Sequence, residues 1–133
     1  MDFMNIGHFE RYHEALYGSI WADDNDKVDR YYGAAHYLLT LRSSIWLKSK
    51  DYVSDGIYFD KMLAEQDFTS GELPIVMLAF VLFKNVDSAQ FSLTNMIAYL
   101  GDEEFDCCIT AIGYFRSDSF KLASKKPLPL GNE

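Results

Sequence analysis

Leu73 to Phe83 is eleven consecutive residues without a polar side chain, and no segment constrains the fold more. A stretch of this kind must be buried from every side, because neither face carries groups that water would solvate. Periodicity does not separate a buried helix from a buried strand where every position is apolar. Length, the Leu/Met/Ala content and Pro74 at a first helical position favour a helix; Val76 and Val81 lean mildly the other way. The run is too short to cross a bilayer, which takes roughly 18–20 apolar residues. The spacing therefore predicts a central helix over about 73–84, with the rest of the chain packed around it.

Around that run the helical signals are amphipathic. Phe9, Tyr12 and Leu16 share one face of a segment over about 6–18, with Glu10, Arg11 and Glu14 on the other and Gly18 free to end it. Asp23, Asp24 and Asn25 read as a helix start, with Asp26 and Asp29 in its first turns. Val28, Tyr31, Tyr32, Ala35, Leu38, Leu39 and Arg42 then form a stripe that Ser43–Lys48 can prolong. Turn formers fill 49–57, a short helix with Phe59, Met62 and Leu63 follows over 58–66, and Thr69-Ser70-Gly71 breaks the chain. Ser92 caps a helix carrying Leu93, Met96, Ile97 and Leu100, which Gly101 ends. Asp102 opens the last helix, with Phe105, Cys108, Ile109, Ile112 and Arg116 expected along its core face. The fold class expected is all-α: a compact single-domain bundle of five to seven short helices over residues 1–116. Residues 117–133 read as a polar, mildly basic tail able to fold back onto it.

Charge and cysteine content narrow the chemistry. The formal charge is −8 over 133 residues. Residues 1–115 hold eight Lys/Arg against 18 Asp/Glu, and 116–133 hold four against two. An acidic domain lacks the cations that displace phosphate counterions, so direct nucleic-acid binding is not expected. Eight of the 18 acids cluster at 23–29 and 102–106, where helix starts explain them. The only cysteines, Cys107 and Cys108, are adjacent and have no basic neighbour, so helix packing is expected of both, without a disulfide framework. With no positive, apolar leader at the start, cytoplasmic residence is the simplest expectation.

Candidate sites are few. His8 and His13, five apart, point away from one another on a helix. Glu10, His13 and Glu14, joined by His36, sketch a composite carboxylate–histidine site, although ferritin-like bundles need several Glu-x-x-His units. The acids at 23–29 fail the calcium-loop pattern, since Val28 and Asp29 occupy the fifth and sixth places counted from Asp24. Asp102, Glu103, Glu104 and Asp106 read as helix-start acids, with a patch for a metal or a basic partner as the alternative. No nucleophile elbow or phosphate loop is present. No catalytic, cofactor-binding or metal-binding residue is therefore assigned. Seven tyrosines between Tyr12 and Tyr58, with Trp21 and Trp46, suit core packing first and a protein or homodimer interface second.

The order of four segments resembles a small family of uncharacterised helical proteins from Gram-positive bacteria and their phages. They are His8-Phe9-Glu10-Arg11-Tyr12, the Asp29-Arg30 turn running to Tyr37-Leu38-Leu39, Leu78-Ala79-Phe80-Val81-Leu82, and the Ser92–Ile112 segment. The likeness spans about 7–116 and implies a small cytoplasmic or phage-encoded helical protein, with no reaction to carry over. The leading expectation is a non-enzymatic interaction or accessory factor whose protein partner has a basic surface. A self-assembling homodimer is second, and a metal-dependent enzyme using Glu10, His13, Glu14 and His36 third.

Overall fold

The computed structural model describes residues 1–123, and they are all-helical: seven α-helices, a 3-10 turn over Lys50–Tyr52, and isolated bridges but no strand among the described residues. In chain order these are α1 (Ile6–Leu16), α2 (Arg30–Leu39), α3 (Ser43–Ser49), α4 (Phe59–Glu65), α5 (Leu73–Lys84), α6 (Leu93–Tyr99) and α7 (Asp102–Ser117).

The apolar run is indeed a helix, α5, with Pro74 in its first turn and Asn85 turning left-handed at φ 56° to close it. Its N-terminal half, Pro74–Ala79, is buried, while Phe80 to Phe83 are only partly covered. It shares the centre with α2, whose residues 33–39 are all buried and which packs against α1, α3, α5 and α7. Two alanines and a glycine in α2 (Gly33, Ala34, Ala35) let its neighbours approach closely.

The start of α2 lies later than the acids at 23–25 suggest. Asp29 is its N-cap, accepting from the N–H groups of Tyr31 and Tyr32 at 2.9 and 3.2 Å. Asp23 caps a tight turn instead, accepting from Asn25 N–H and Lys27 N–H, with Asp26 left-handed at φ 63°. An Asx turn offers the backbone of 23–27 partners that compete with helix formation. Val28 thus sits in a bridge with Ala22 rather than on the helical stripe. α3 is likewise a separate helix, because the chain turns at Thr40–Arg42, where Arg11 donates to the carbonyls of Thr40 (2.9 Å) and Leu41 (3.1 Å). Gly101 is not the end of α6 but the N-cap of α7.

The tail expected over 117–133 is described as far as Ala123, and in that stretch it gives Phe120 and Leu122 to the core. Asp118 turns left-handed at φ 53° to end α7. The chain then runs beside residues 26–28, with Val28 N–H donating to Phe120 O and Leu122 N–H to Asp26 O. Phe120 is fully buried over Gly33, where an added Cβ would lie 2.6 Å from both Cβ and Cγ of the ring-bearing side chain. A glycine is required there by that approach.

The core face of α7 also differs from the expected stripe. Cys107, Cys108 and Ala111 are buried, whereas Ile109 is 48% and Ile112 38% exposed. Small side chains let α7 sit close against α2, which two β-branched isoleucines would prevent. α7 is therefore apolar on both sides, one packed and one open.

Candidate functional site

The composite carboxylate–histidine arrangement does not assemble. Among the described residues no group of three His, Cys, Asp or Glu is placed to hold a metal ion. Glu10 and Glu14 stay on the outer side of α1, beside Arg11, Ala15 and Trp46 in an open groove of about 230 Å³. His13 faces the opposite way, its Nδ1 on Phe9 O and its Nε2 accepting from Ala123 N–H, each at 2.8 Å. His36 lies inside α2, its Nδ1 on Tyr32 O at 2.8 Å and its ring among Trp21, Tyr32 and Trp46.

The histidines instead join helices. His8 accepts from Met4 N–H at Nδ1 and donates from Nε2 to Tyr37 O at 2.8 Å, so α1 is tied to the last turn of α2. Phe3 plugs the space between them, packed against His8, Phe9, Tyr12, His13 and Tyr37. The Tyr37 hydroxyl donates to Asp2 O, and Asp2 N–H donates to the Tyr114 hydroxyl, which anchors the N-terminal residues on α7. Burial pushes His8 down to about 3 and His36 down to about 4, and it lowers His13 as well. These imidazoles are neutral bases without access to solvent. Two buried polar atoms, Tyr12 Oη and His36 Nε2, have no hydrogen-bond partner among the described residues. Much of the aromatic content thus belongs to the core, including the stacked Trp21–Tyr32 pair at 4.1 Å.

Neither thiol is activated. Burial pushes Cys108 up to about 12 and raises Cys107, so both are protonated and poorly nucleophilic near neutral pH. The acids at the start of α7 separate in role. Glu104 pairs with Arg42 at 2.7 Å and ties α7 to α3, while Asp102, Glu103 and Asp106 face outward.

A groove of about 430 Å³ lies over the loop entering α2, between Ile20, Trp21, Asp29 and the Lys27–Asp118–Arg30 cluster. Asp118 takes Lys27 at 2.8 Å and Arg30 at 3.5 Å. The lining carries Asp23, Asp29 and Asp118 against Lys27 and Arg30, three acids to two bases, and Asp29 is occupied in capping α2. No reading of the sequence located the groove, because Asp118 comes from the presumed tail.

What the described surface does offer is unpartnered apolar side chains. On α6 only Met96 is buried, while Leu93 is 54% and Ile97 59% exposed, and Tyr99 is exposed beside them. A shallow cleft between α5 and α6 adjoins them, walled by Leu73, Pro74, Met77, Asn95 and Tyr99. The open side of α7 carries Ile109 and Ile112, with Phe105 beside them partly buried against the core. The signal for the second set was in the sequence, as spacing of three and four, but it was assigned to the core. Scattered single exposed hydrophobics are ordinary on a protein surface; several on one helix are not. No helix of the described residues is long and apolar enough to cross a membrane. No family model, curated protein or solved structure matches the chain.

Proposed function

We propose that this chain is a non-enzymatic interaction or accessory protein, and that α6 is the helix it presents to a protein partner. The observation that carries this reading is the exposure of Leu93, Ile97 and Tyr99 on a helix with no charged residue, beside the Leu73–Met77 cleft. The surrounding domain is strongly acidic, with −8 over the whole chain. A partner complementary to both features presents apolar side chains inside a basic rim, and the charge accelerates encounter. The groups that would otherwise suggest catalysis are committed elsewhere: the three histidines hold backbone atoms, and both thiols are buried. The resemblance to proteins of Gram-positive bacteria and their phages adds a cytoplasmic, prophage-encoded setting to the proposal, which the neighbourhood of the gene tests.

The experiment is affinity capture from the native host with two baits, the natural chain and a Leu93→Ser/Ile97→Ser variant, followed by titration of the purified captured protein. Capture by the natural chain alone, with affinity falling as salt rises, supports the reading. Equal capture by both baits, or binding indifferent to salt, sinks it.

A further inference from the structure

His13 differs from the other two histidines in how it spends its ring nitrogens. Phe9 O, one turn back on α1, can only accept, so Nδ1 carries the hydrogen that it donates at 2.8 Å. Ala123 N–H can only donate, so Nε2 is left as a lone pair that accepts at 2.8 Å. The two partners together fix one neutral tautomer. His8 also accepts at one nitrogen, but from Met4, four residues away. Among the described residues, His13 alone uses its lone pair to hold a segment 110 positions distant in the chain.

That segment is fastened in two ways. Phe120 is fully buried, and its carbonyl accepts from Val28 N–H at 3.0 Å; Leu122 N–H donates to Asp26 O at 2.7 Å. Neither bond involves His13. Ala123 has only the bond to Nε2 among the described residues. Protonation turns that acceptor into a second N–H, which confronts Ala123 N–H donor to donor. The ring is 2% exposed, so water and a proton reach Nε2 only as Ala123 moves off, and opening and protonation are one linked event.

Nothing around the ring offsets a positive charge. Phe3, Phe9 and Tyr12 pack against it with centroids at 5.5, 4.1 and 5.4 Å. From the N-terminal segment the Met1 amine opposes a second positive charge, and Asp2 is engaged through its backbone with Tyr37 and Tyr114. On α1, His8 is held neutral by burial, while Glu10 and Glu14 lie on the outer side. Across Phe3, α2 brings Tyr37, and Lys121 is the one ionisable group of residues 119–123. No carboxylate pairs with His13 among the described residues. Burial lowers the ring below 6.5, the Phe9 carbonyl acts in the opposite sense, and the Met1 amine lowers it again. The attachment is therefore complete above pH 6.5 and is lost as pH falls through that lowered value.

We propose that His13 is a proton-operated latch: neutral, it clasps Ala123 to α1, and protonated, it unfastens the chain there, with the Val28–Phe120 and Asp26–Leu122 bonds left as the hinge. The effect is reciprocal by linkage, so withdrawing the Ala123 donor makes His13 easier to protonate. The latch is independent of the α6 surface and its partner, since it lies between α1 and the segment after α7.

NMR titration of the full chain from about pH 7.5 down to about 4.5 follows the His13 ring, the Ala123 amide, the Phe120 ring and the Trp21 and Trp46 indoles. In the natural protein the His13 ring and the Ala123 amide are expected to shift with one midpoint below 6.5, while Phe120 and both indoles hold their positions. His13→Gln, whose side-chain oxygen can accept from Ala123 N–H without titrating, is expected to abolish the Ala123 transition. Ala123→Pro removes the donor and changes no side-chain charge; it is expected to move the His13 midpoint up toward 6.5. An Ala123 amide that keeps its transition in His13→Gln overturns the proposal. So does a His13 midpoint unmoved by Ala123→Pro, or a His13 ring that titrates only as the native indole signals disappear. The indole signals at neutral pH verify that each variant is folded.

Discussion

Placing an alanine at position 33 tests whether the segment after α7 is part of the fold. Gly33 lies in α2, and a Cβ there would stand 2.6 Å from Phe120 Cβ and Cγ and 3.0 Å from Cδ2. Neither partner yields easily, because Phe120 is fully buried and its carbonyl accepts from Val28 N–H at 3.0 Å. Overpacking of this kind costs about 1–3 kcal/mol. Helix propensity works in the opposite direction, favouring alanine over glycine by about 1 kcal/mol. The net expectation in the natural chain is a loss of up to about 2 kcal/mol.

The same substitution should change sign when the obstruction is removed. Phe120→Ala would keep the offending Cβ, so the informative background is Phe120→Gly. That background alone is costly, about 3–5 kcal/mol for emptying a buried phenylalanine site. Within it, Gly33→Ala is expected to stabilise by up to about 1 kcal/mol. Urea unfolding of the four proteins closes a double-mutant cycle with a coupling of about 1–3 kcal/mol. Additive effects, with Gly33→Ala equally harmful or equally helpful in both backgrounds, would refute the placement of Phe120 over α2.

Three further outcomes follow from the site chemistry. His8 and His36 are held near about 3 and 4 by burial, below the 6.5 of an exposed imidazole, so their contribution to stability is complete above pH 6.5 and is lost as pH falls toward those values. At pH 5 each accounts for a loss of about 2 kcal/mol relative to pH 7, which denaturant titration should detect and a His36→Phe variant should roughly halve; a flat profile would contradict the burial argument. Asp29→Ala removes the acceptor for two N–H groups at the start of α2 and should cost about 1 kcal/mol in chemical unfolding, whereas Asp29→Ser should cost a fraction of that. Glu72, buried near the start of α5, accepts from Lys48 Nζ at 2.7 Å and from Thr69 N–H at 2.9 Å. Burial alone would raise its carboxyl, but the hydrogen bonds from Lys48, Thr69 N–H and Ser44 outweigh that and bring it down to about 2. Glu72→Leu should destabilise by about 1–3 kcal/mol, since it removes the acceptor of Lys48 and of Thr69 N–H and leaves the Lys48 amine with Asp67 O alone, and Lys48→Met in the same chain should recover part of the loss.

The helices were legible because their signals are local. Pro74 at the start of α5, Ser92 capping α6 through Asn95 N–H, and the acids in the first turn of α7 act on backbone within a few residues of themselves. The misplacement at 23–29 was local too, and arose because Asp, Asn and a following acid suit an Asx turn as well as a helix start. The candidate site was far less legible. Glu10, His13, Glu14 and His36 are near in sequence or on neighbouring helices, yet the azimuth of each around its axis decides what it meets. His13 turns to Ala123 and His36 to two tryptophans, while the two glutamates line an open groove on the outer side of α1.

By itself, then, the sequence determined that this chain is helical, that residues 73–84 form a helix whose Pro74–Ala79 half lies in its core, and that its charge is acidic. Hydrophobic period, caps and turn chemistry are properties of short windows, and they act before any tertiary contact forms. Only the tertiary structure decided which of two apolar sides of α7 became core, since Phe105–Ile109–Ile112 and Cys107–Cys108–Ala111 are both helical stripes. Close approach to α2 selected the smaller side chains and left the isoleucines outside. It also brought Phe120, a lone aromatic in a polar stretch, onto Gly33 from 87 positions away in the chain. That pairing depends on a missing Cβ meeting a ring, a fit of shapes that no periodicity encodes.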